Sequence, residues 1–303
     1  MSLQSPFALP GRFWRGNIHT HSTASDGCRT PEAVCAVYRN AGYNFLCISD
    51  HFLEKFGYPL TDTTPFQADG FVTIRGAELH APHLESGELW HILGIGLPAD
   101  FAPPEADETG ASISARALKA GAFVAAAHPA WYLAGEDEIR ALGAIHAIET
   151  WNVTSADLNA RPDSWYVLDR LLSQGARYTA CVGDDAHFTD ERDDALRAWV
   201  LVKSEELSAT AIVDALKRGA YYSSTGPEIV SISQEDRNRL RIRSSPANWL
   251  FATGGGAQTA YVRGVNLTEA TVDISTFTSP WCRVTVRDDE GRFAWSNPIR
   301  IDT

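Results

Sequence analysis

The 303-residue sequence contains no run approaching the roughly 20 continuous apolar residues that a membrane-spanning helix needs. Its opening segment, MSLQSPFALPGRFWRGN, has no charged stretch followed by an apolar one, so a secretory signal is not expected. Cysteine is scarce, odd in number and widely spaced (Cys28, Cys35, Cys47, Cys181, Cys282), with no CxxC pair. That usage fits a reducing cytoplasm, where cysteines act as small core hydrophobes. Positive charge is also short, with 26 Lys and Arg against 38 Asp and Glu, a net charge of −12. Extended nucleic acid, which needs a basic face, is therefore excluded as the general partner. No GxGxxG follows the first strand, which counts against a dinucleotide-binding sheet. No internal repeat or low-complexity segment is present.

An apolar fraction of 44% is enough for a sizeable core, in one large domain or a main domain with an appendage. From about residue 14 to 227, short apolar strands alternate with helical segments, the pattern of an α/β fold. Thr30 caps a helix opened by Pro31, with apolar Val34, Val37, Tyr38 and Ala41 at helical spacing before Gly42. FLCIS, FVTIRGAEL, AFVAAA, HAIETWN, RYTACVG and WVLVKS read as strands, and 112–121, 163–174 and 208–218 as helices. Beyond Pro227 the segments 228–243, 258–265, 271–277 and 281–287 alternate apolar and polar residues, with a GGG turn at 254–256. Residues 228–303 are therefore expected to form a small β-rich C-terminal unit packed on an α/β domain spanning 14–227.

Six of the nine histidines fall at or just beyond the strand ends. The elements are HTH (His19, His21), SDH (Asp50, His51), GAELH…WHILG (Glu78, His91), AHP (His128) and GDDAH (Asp185, His187), with Asp26 in SDG after the first pair. Polar groups at the C-terminal ends of parallel strands mark the active face of a β/α barrel. Imidazole with carboxylate suits zinc, manganese or iron, and a carboxylate can bridge two ions. One HxH is a weak signal; the whole series, placed at successive strand ends, points to a metal site.

In their order, HTHSTASDG, ISDH, GAEL, HILGIG, AHP and GDDAH resemble the PHP (polymerase and histidinol phosphatase) superfamily across residues 14 to 227. RGNIHTHS, IETWN, GDDAHF, YYSSTGP and the terminal RFAWSNPIRI further resemble its carbaryl-hydrolase-like branch. The resemblance implies a distorted seven-stranded β/α barrel, (β/α)7, holding two or three divalent ions. Carried over, His19, His21, Glu78 and Asp185 would hold the first. Glu78 would bridge to a second, held also by His91 and His128, and Asp26, His51 and His187 would hold a third. Three divalent ions against three carboxylates leave the site positive, which favours an anion and a metal-activated hydroxide as nucleophile.

Around this set, Asp50 and Asp184 precede ligands and could orient imidazoles, or serve turns. Glu149 ends a strand in position to steady a ligand or act as general acid. His80 and His83 flank Glu78 on the loop side, where they could touch substrate although surface placement is expected, and His146 belongs to the opposite face. Residues 81–114 contain no Lys or Arg, so the nearest candidate anion clamps are Arg161, Arg192 and Arg197 in later loops, each equally able to be a surface residue. Trp131, Tyr132 and Trp151 could wall an aromatic pocket or pack on the C-terminal unit. The expected activity is hydrolysis of a small-molecule phosphate ester. The alternatives are hydrolysis of a carboxylic, amide or carbamate ester, and a non-catalytic metal-binding domain.

Overall fold

Residues 5–301 are described by a computed structural model. The chain runs β1 (Arg12–Asn17), α1 (Pro31–Asn40), β2 (Phe45–Ile48), β3 (His51–Phe52), β4 (Val72–Ala81), β5 (Trp90–Ile95) and α2 (Gly110–Lys119). It continues through β6 (Phe123–Ala126), α3 (Pro129–Tyr132), α4 (Glu136–Ala141), β7 (Ala147–Asn152), α5 (Val153–Asn159), α6 (Trp165–Ser173) and β8 (Thr179–Gly183). After β9 (Trp199–Ser204), α7 (Ala209–Lys217) and β10 (Tyr221–Ser224) come β11 (Ile229–Asp236), β12 (Arg239–Gly254), β13 (Thr259–Asp273), β14 (Trp281–Arg287), β15 (Phe293–Ser296) and β16 (Ile299–Arg300). Local chemistry explains the longer helices. Thr30 and Ser208 accept N-cap hydrogen bonds from Ala33 and Ala211, Thr109 and Ser112 form a capping box, and Pro31 opens α1. The short helices α3, α4 and α5 have too few turns to leave a periodic signature in sequence.

The result is a mixed α/β molecule on one large sheet, in the order β11-β12-β14-β15-β10-β9-β1-β2-β4-β5-β6-β7-β8. The structure departs from the expected distorted seven-stranded β/α barrel on two counts. First, β5 runs antiparallel to β4 and β6, and β9 antiparallel to β1 and β10. Both strands follow connections, residues 82–89 and 184–198, that contain no helix. The 82–89 link is too short for a crossover, so β5 returns antiparallel to β4. Second, the ladder is open: among the described residues no strand pairing joins β8 to β10.

Side chains bridge that seam instead. Ser223 Oγ donates to Ala180 O, and Thr179 and Tyr221 share a hydroxyl hydrogen bond. Asn297, far along the chain, accepts from Ala180 N at 2.8 Å and donates to Gly219 O and Tyr221 O. Inside, Phe45, Ile74, Leu93, Phe123, Ala147, Cys181 and Val200 from successive strands meet Ile212 and Leu216 of α7 in one core cluster. The helix thus plugs one end of the strand array and leaves the other end for the histidines.

The C-terminal strands are longer than their alternation suggested, with β12 continuing through residues 244–254. β15 pairs with β10, and Trp281 and Trp295 join the buried cluster that contains Leu79, Ile148 and Leu168. No helix follows α7 among the described residues, and no helix in the described chain is long and apolar enough to cross a membrane.

Candidate metal centre

The ligand-type residues converge because their strands present one edge. His19 and His21 lie just beyond β1, and Thr20 between them turns the other way, its amide bound to Ser49 Oγ and its hydroxyl to Ala186 O. Both imidazoles are therefore driven into the interior, their centroids 5.5 Å apart. β3 sets His51 beside Glu78 on β4. His91 departs from the expectation that ligands end or follow apolar runs. It sits at the start of β5, which reaches the same edge because that strand is antiparallel. His128 and Asp185 occupy positive φ of 28° and 54°, backbone strain of the kind found where side chains are aimed by the surrounding fold. Gly183 lets β8 approach closely: a Cβ there would overlap Glu149 Oε1 and His19 Cβ.

Glu78 is the hub. Fully buried, it has six imidazoles within 4 Å: His51 at 2.6, His91 at 2.7, His128 at 3.1, His19 at 3.6, His21 at 3.7 and His80 at 3.9 Å. Burial works to raise its pKa, but the surrounding imidazoles, His91 foremost, hold it well below the ordinary carboxylate range. Asp185 approaches His21 Nε2 at 2.9 and His19 Nε2 at 3.2 Å. Asp26, at the rim, faces His51 Nε2 at 3.4 and His187 Nε2 at 3.5 Å.

Four sets of donors lie close enough to share an ion: His19, His21 and Asp185; His19, Glu78 and His128; His21, Asp26, His51 and His187; and His51, Glu78, His80 and His91. The first and third gather residues in nearly the combinations that the sequence suggested. The remaining two divide the imidazoles around Glu78 differently, with His128 on the His19 side and His91 on the His51 side. Five buried polar atoms here, His19 Nε2, His21 Nδ1, Glu78 Oε2, His80 Nδ1 and His128 Nδ1, have no hydrogen-bond partner. Polar atoms left unpaired in a protein interior are costly unless a ligand completes them. Divalent cations fit such a donor set.

The neighbouring acids play separate parts. Glu149, buried, accepts from His19 Nδ1, from His128 N at 2.9 Å and from Asn152 Nδ2. Holding Nδ1 leaves the His19 Nε2 lone pair directed at Asp185 and Glu78. Asp50 and Asp184 take no hydrogen bond from an imidazole among the described residues. Asp50 binds Ser22, Ser25 and Thr61, pinning the turn that carries His21 and Asp26. Asp184 accepts from Asn17, Tyr38 and the amides of Leu196, Arg197 and Ala198, so it anchors the 186–198 loop.

Beside the donors opens a cavity of about 320 Å³, walled by Trp131, Tyr132, Leu158 and Thr154. Arg192 is the one Lys or Arg among its described lining residues, held by Thr189 Oγ1 at 2.9 Å. Of the other candidate clamps, Arg197 is engaged by Asp157, and Arg161 is exposed outside this cavity. Trp151 also stays out, packing on Phe293 and Trp295 of the C-terminal strands. His146 bonds Val124 N and stacks on Phe123, away from the cluster.

His80 is the residue whose placement sequence reasoning missed. It is 3% exposed rather than on the surface, whereas His83 is exposed as expected. The signal was present as Glu78-x-His80, a period-two spacing on one strand face. The apolar run of FVTIRGAEL ends at Leu79, whereas β4 continues to Ala81 and carries His80 inward with it.

No protein-family model matches the chain, and no curated protein matches it significantly. Among solved structures it is similar to a two-domain protein containing a predicted PHP-like metal-dependent phosphoesterase from Bacteroides vulgatus. The identity is 18% and the TM-score 0.54, covering 95% of this chain and 93% of that one. Two weaker overlays are a putative metal-dependent phosphoesterase from Bifidobacterium adolescentis and an amidohydrolase from Chromobacterium violaceum. The former has 16% identity and TM-score 0.36, over 57% of this chain and 87% of that one. The latter has 14% identity and TM-score 0.44, over 58% and 88%. The first likeness establishes a shared fold over nearly the whole length of both chains; the other two carry no argument.

Proposed function

We propose that this chain is a metal-dependent hydrolase of the PHP superfamily, acting on a small-molecule phosphate ester. The observation that carries the reading is one buried carboxylate, Glu78, ringed by six imidazoles, with several of the surrounding donor atoms unpaired. His19, His21, Glu78 and Asp185 would hold one ion, Glu78, His91 and His128 a second, and Asp26, His51 and His187 a third. Zinc, manganese and iron all suit these donors. Such ions, when bound, lower the pKa of coordinated water towards about 7 and stabilise developing negative charge.

The chain's own residues supply the rest. Glu149 fixes the ring of His19 and, through the His128 amide, the start of α3. Arg192 at the rim would take an anionic substituent, and Trp131, Tyr132 and Leu158 give an apolar body a surface to rest on. In this reading residues 14–227 form a PHP-type barrel opened at the β8–β10 seam, and 228–303 support it. Its five free cysteines, four of them buried, suit a reducing cytoplasm.

A second reading, hydrolysis of a carboxylic, amide or carbamate ester in keeping with the carbaryl-hydrolase-like motifs, is favoured by the pocket wall. That wall offers three apolar side chains and a single cation. Turnover of p-nitrophenyl phosphate, bis-p-nitrophenyl phosphate and 1-naphthyl N-methylcarbamate by protein loaded with zinc, manganese or iron decides between them. Phosphate-ester turnover, abolished by chelation and restored by metal, is the expected result. Carbamate turnover with inert phosphates would transfer the assignment to the second reading.

A further inference from the structure

β4 carries Glu78 and His80 two residues apart, so both side chains leave the same strand face. The antiparallel register sets His80 directly opposite His91 on β5. The His80 and His91 rings lie 4.2 Å apart, and His80 Nε2 is 2.9 Å from His51 Nδ1 and 3.9 Å from Glu78 Oε2. His80 is as deeply buried as the donors already assigned, yet it belongs to no ligand set carried over from the motifs.

A histidine retained in a core for structural reasons bonds the scaffold through a ring nitrogen, as His146 does with Val124 N at 3.1 Å. His80 makes no such bond. Its Nδ1 has no partner, and its Nε2 touches only the cluster. One ring nitrogen of His80 gathers with donor atoms of His51, Glu78 and His91, all within 4.8 Å of one another and so close enough to share one ion. His51 remains available to the Asp26 side through its Nε2.

We propose that His80 is itself a metal ligand, completing with Glu78 and His91 a donor set on the inner wall of the pocket. The inference rests on the reading that this cluster binds cations. It also explains why His91 and His128 fall into different donor sets around Glu78. An imidazole facing His91 supplies the nitrogen that His128, on the His19 side, does not.

The test uses the whole chain with 15N-labelled histidine, loaded with 113Cd²⁺ and observed by NMR. One-bond 113Cd–15N coupling at the His80 Nε2 is expected, to the same cadmium that couples to His91. In His80→Gln that cadmium resonance should shift while the others hold their positions. Bound cadmium that couples to His91 but not to His80, with an unchanged spectrum in His80→Gln, would overturn the His80 assignment alone. Wild-type protein that retains no cadmium would overturn the metal-centre reading as well. The coupling measurement needs no variant, so a folding defect in His80→Gln does not decide the outcome.

Discussion

The two edges of the strand array are built on opposite principles. At the histidine edge, polar groups crowd together with too few partners: Glu78 faces six imidazoles, and five buried donor or acceptor atoms are left over. At the β8–β10 seam, polar groups are matched one to one. Asn297 uses both amide ends, and Thr179, Tyr221 and Ser223 complete the closure. Unpaired polarity in a protein interior marks where a ligand belongs, and paired polarity marks where the chain supports itself. The C-terminal segment therefore holds β8 beside β10 across the open seam, because Asn297, between β15 and β16, and the β10–β15 pairing both come from it.

The contrast can be broken most severely at Glu78. Glu78→Gln removes the shared charge and should lower turnover at least about a thousandfold, equivalent to several kcal/mol of transition-state stabilisation. Elemental analysis should show metal loss while circular dichroism stays unchanged. Retention of full metal content would contradict its role as hub. Glu149→Gln keeps the shape but weakens the hold on His19 Nδ1, and a drop of about 10–100-fold in metal affinity or activity is expected. Titration with zinc in competition with a chromophoric chelator measures it; unaltered affinity would leave Glu149 a purely structural acid.

Arg192→Met sharpens the comparison between readings. For a phosphate ester, KM should rise about tenfold, roughly one charge-assisted hydrogen bond, with kcat little changed. For a neutral carbamate neither constant should move. Asn297→Ala tests the matched edge. It strands Ala180 N, Gly219 O and Tyr221 O, and should cost about 1–3 kcal/mol of stability in urea melts. Metal content and low-temperature turnover should be unaffected, and a loss of metal affinity here would mean that the two edges are not independent.

Much of the histidine edge was legible because its rule is local. A short apolar run followed by His or Asp places that side chain at a strand end whatever the partner strand is, and His19, His21, His51, His128, Asp185 and His187 all obey it. His91 and His80 do not, since their positions follow from β5 turning back on β4 and from β4 running past Leu79. Asp184 looked like a companion of the ligands because it is adjacent to Asp185. Both residues lie beyond the end of β8, where Asp185 takes a positive φ of 54°, and the Asp184 carboxylate serves the 186–198 loop instead. Trp151 could equally have lined the pocket, and only the arrival of Trp295 from the C-terminal strands settles its packing.

The sequence by itself determined the chemistry available to this protein: which donors it carries, their order, and the strand ends on which most of them stand. It also determined the change to β structure after Pro227. Those features depend on residue type and short-range periodicity, which act within a few residues. Tertiary structure decided the directions of β5 and β9, the open ladder and its Asn297 staple, and the burial of His80 opposite His91. Each of these depends on which strand a segment meets, and, for the staple, on contacts between residues more than a hundred positions apart.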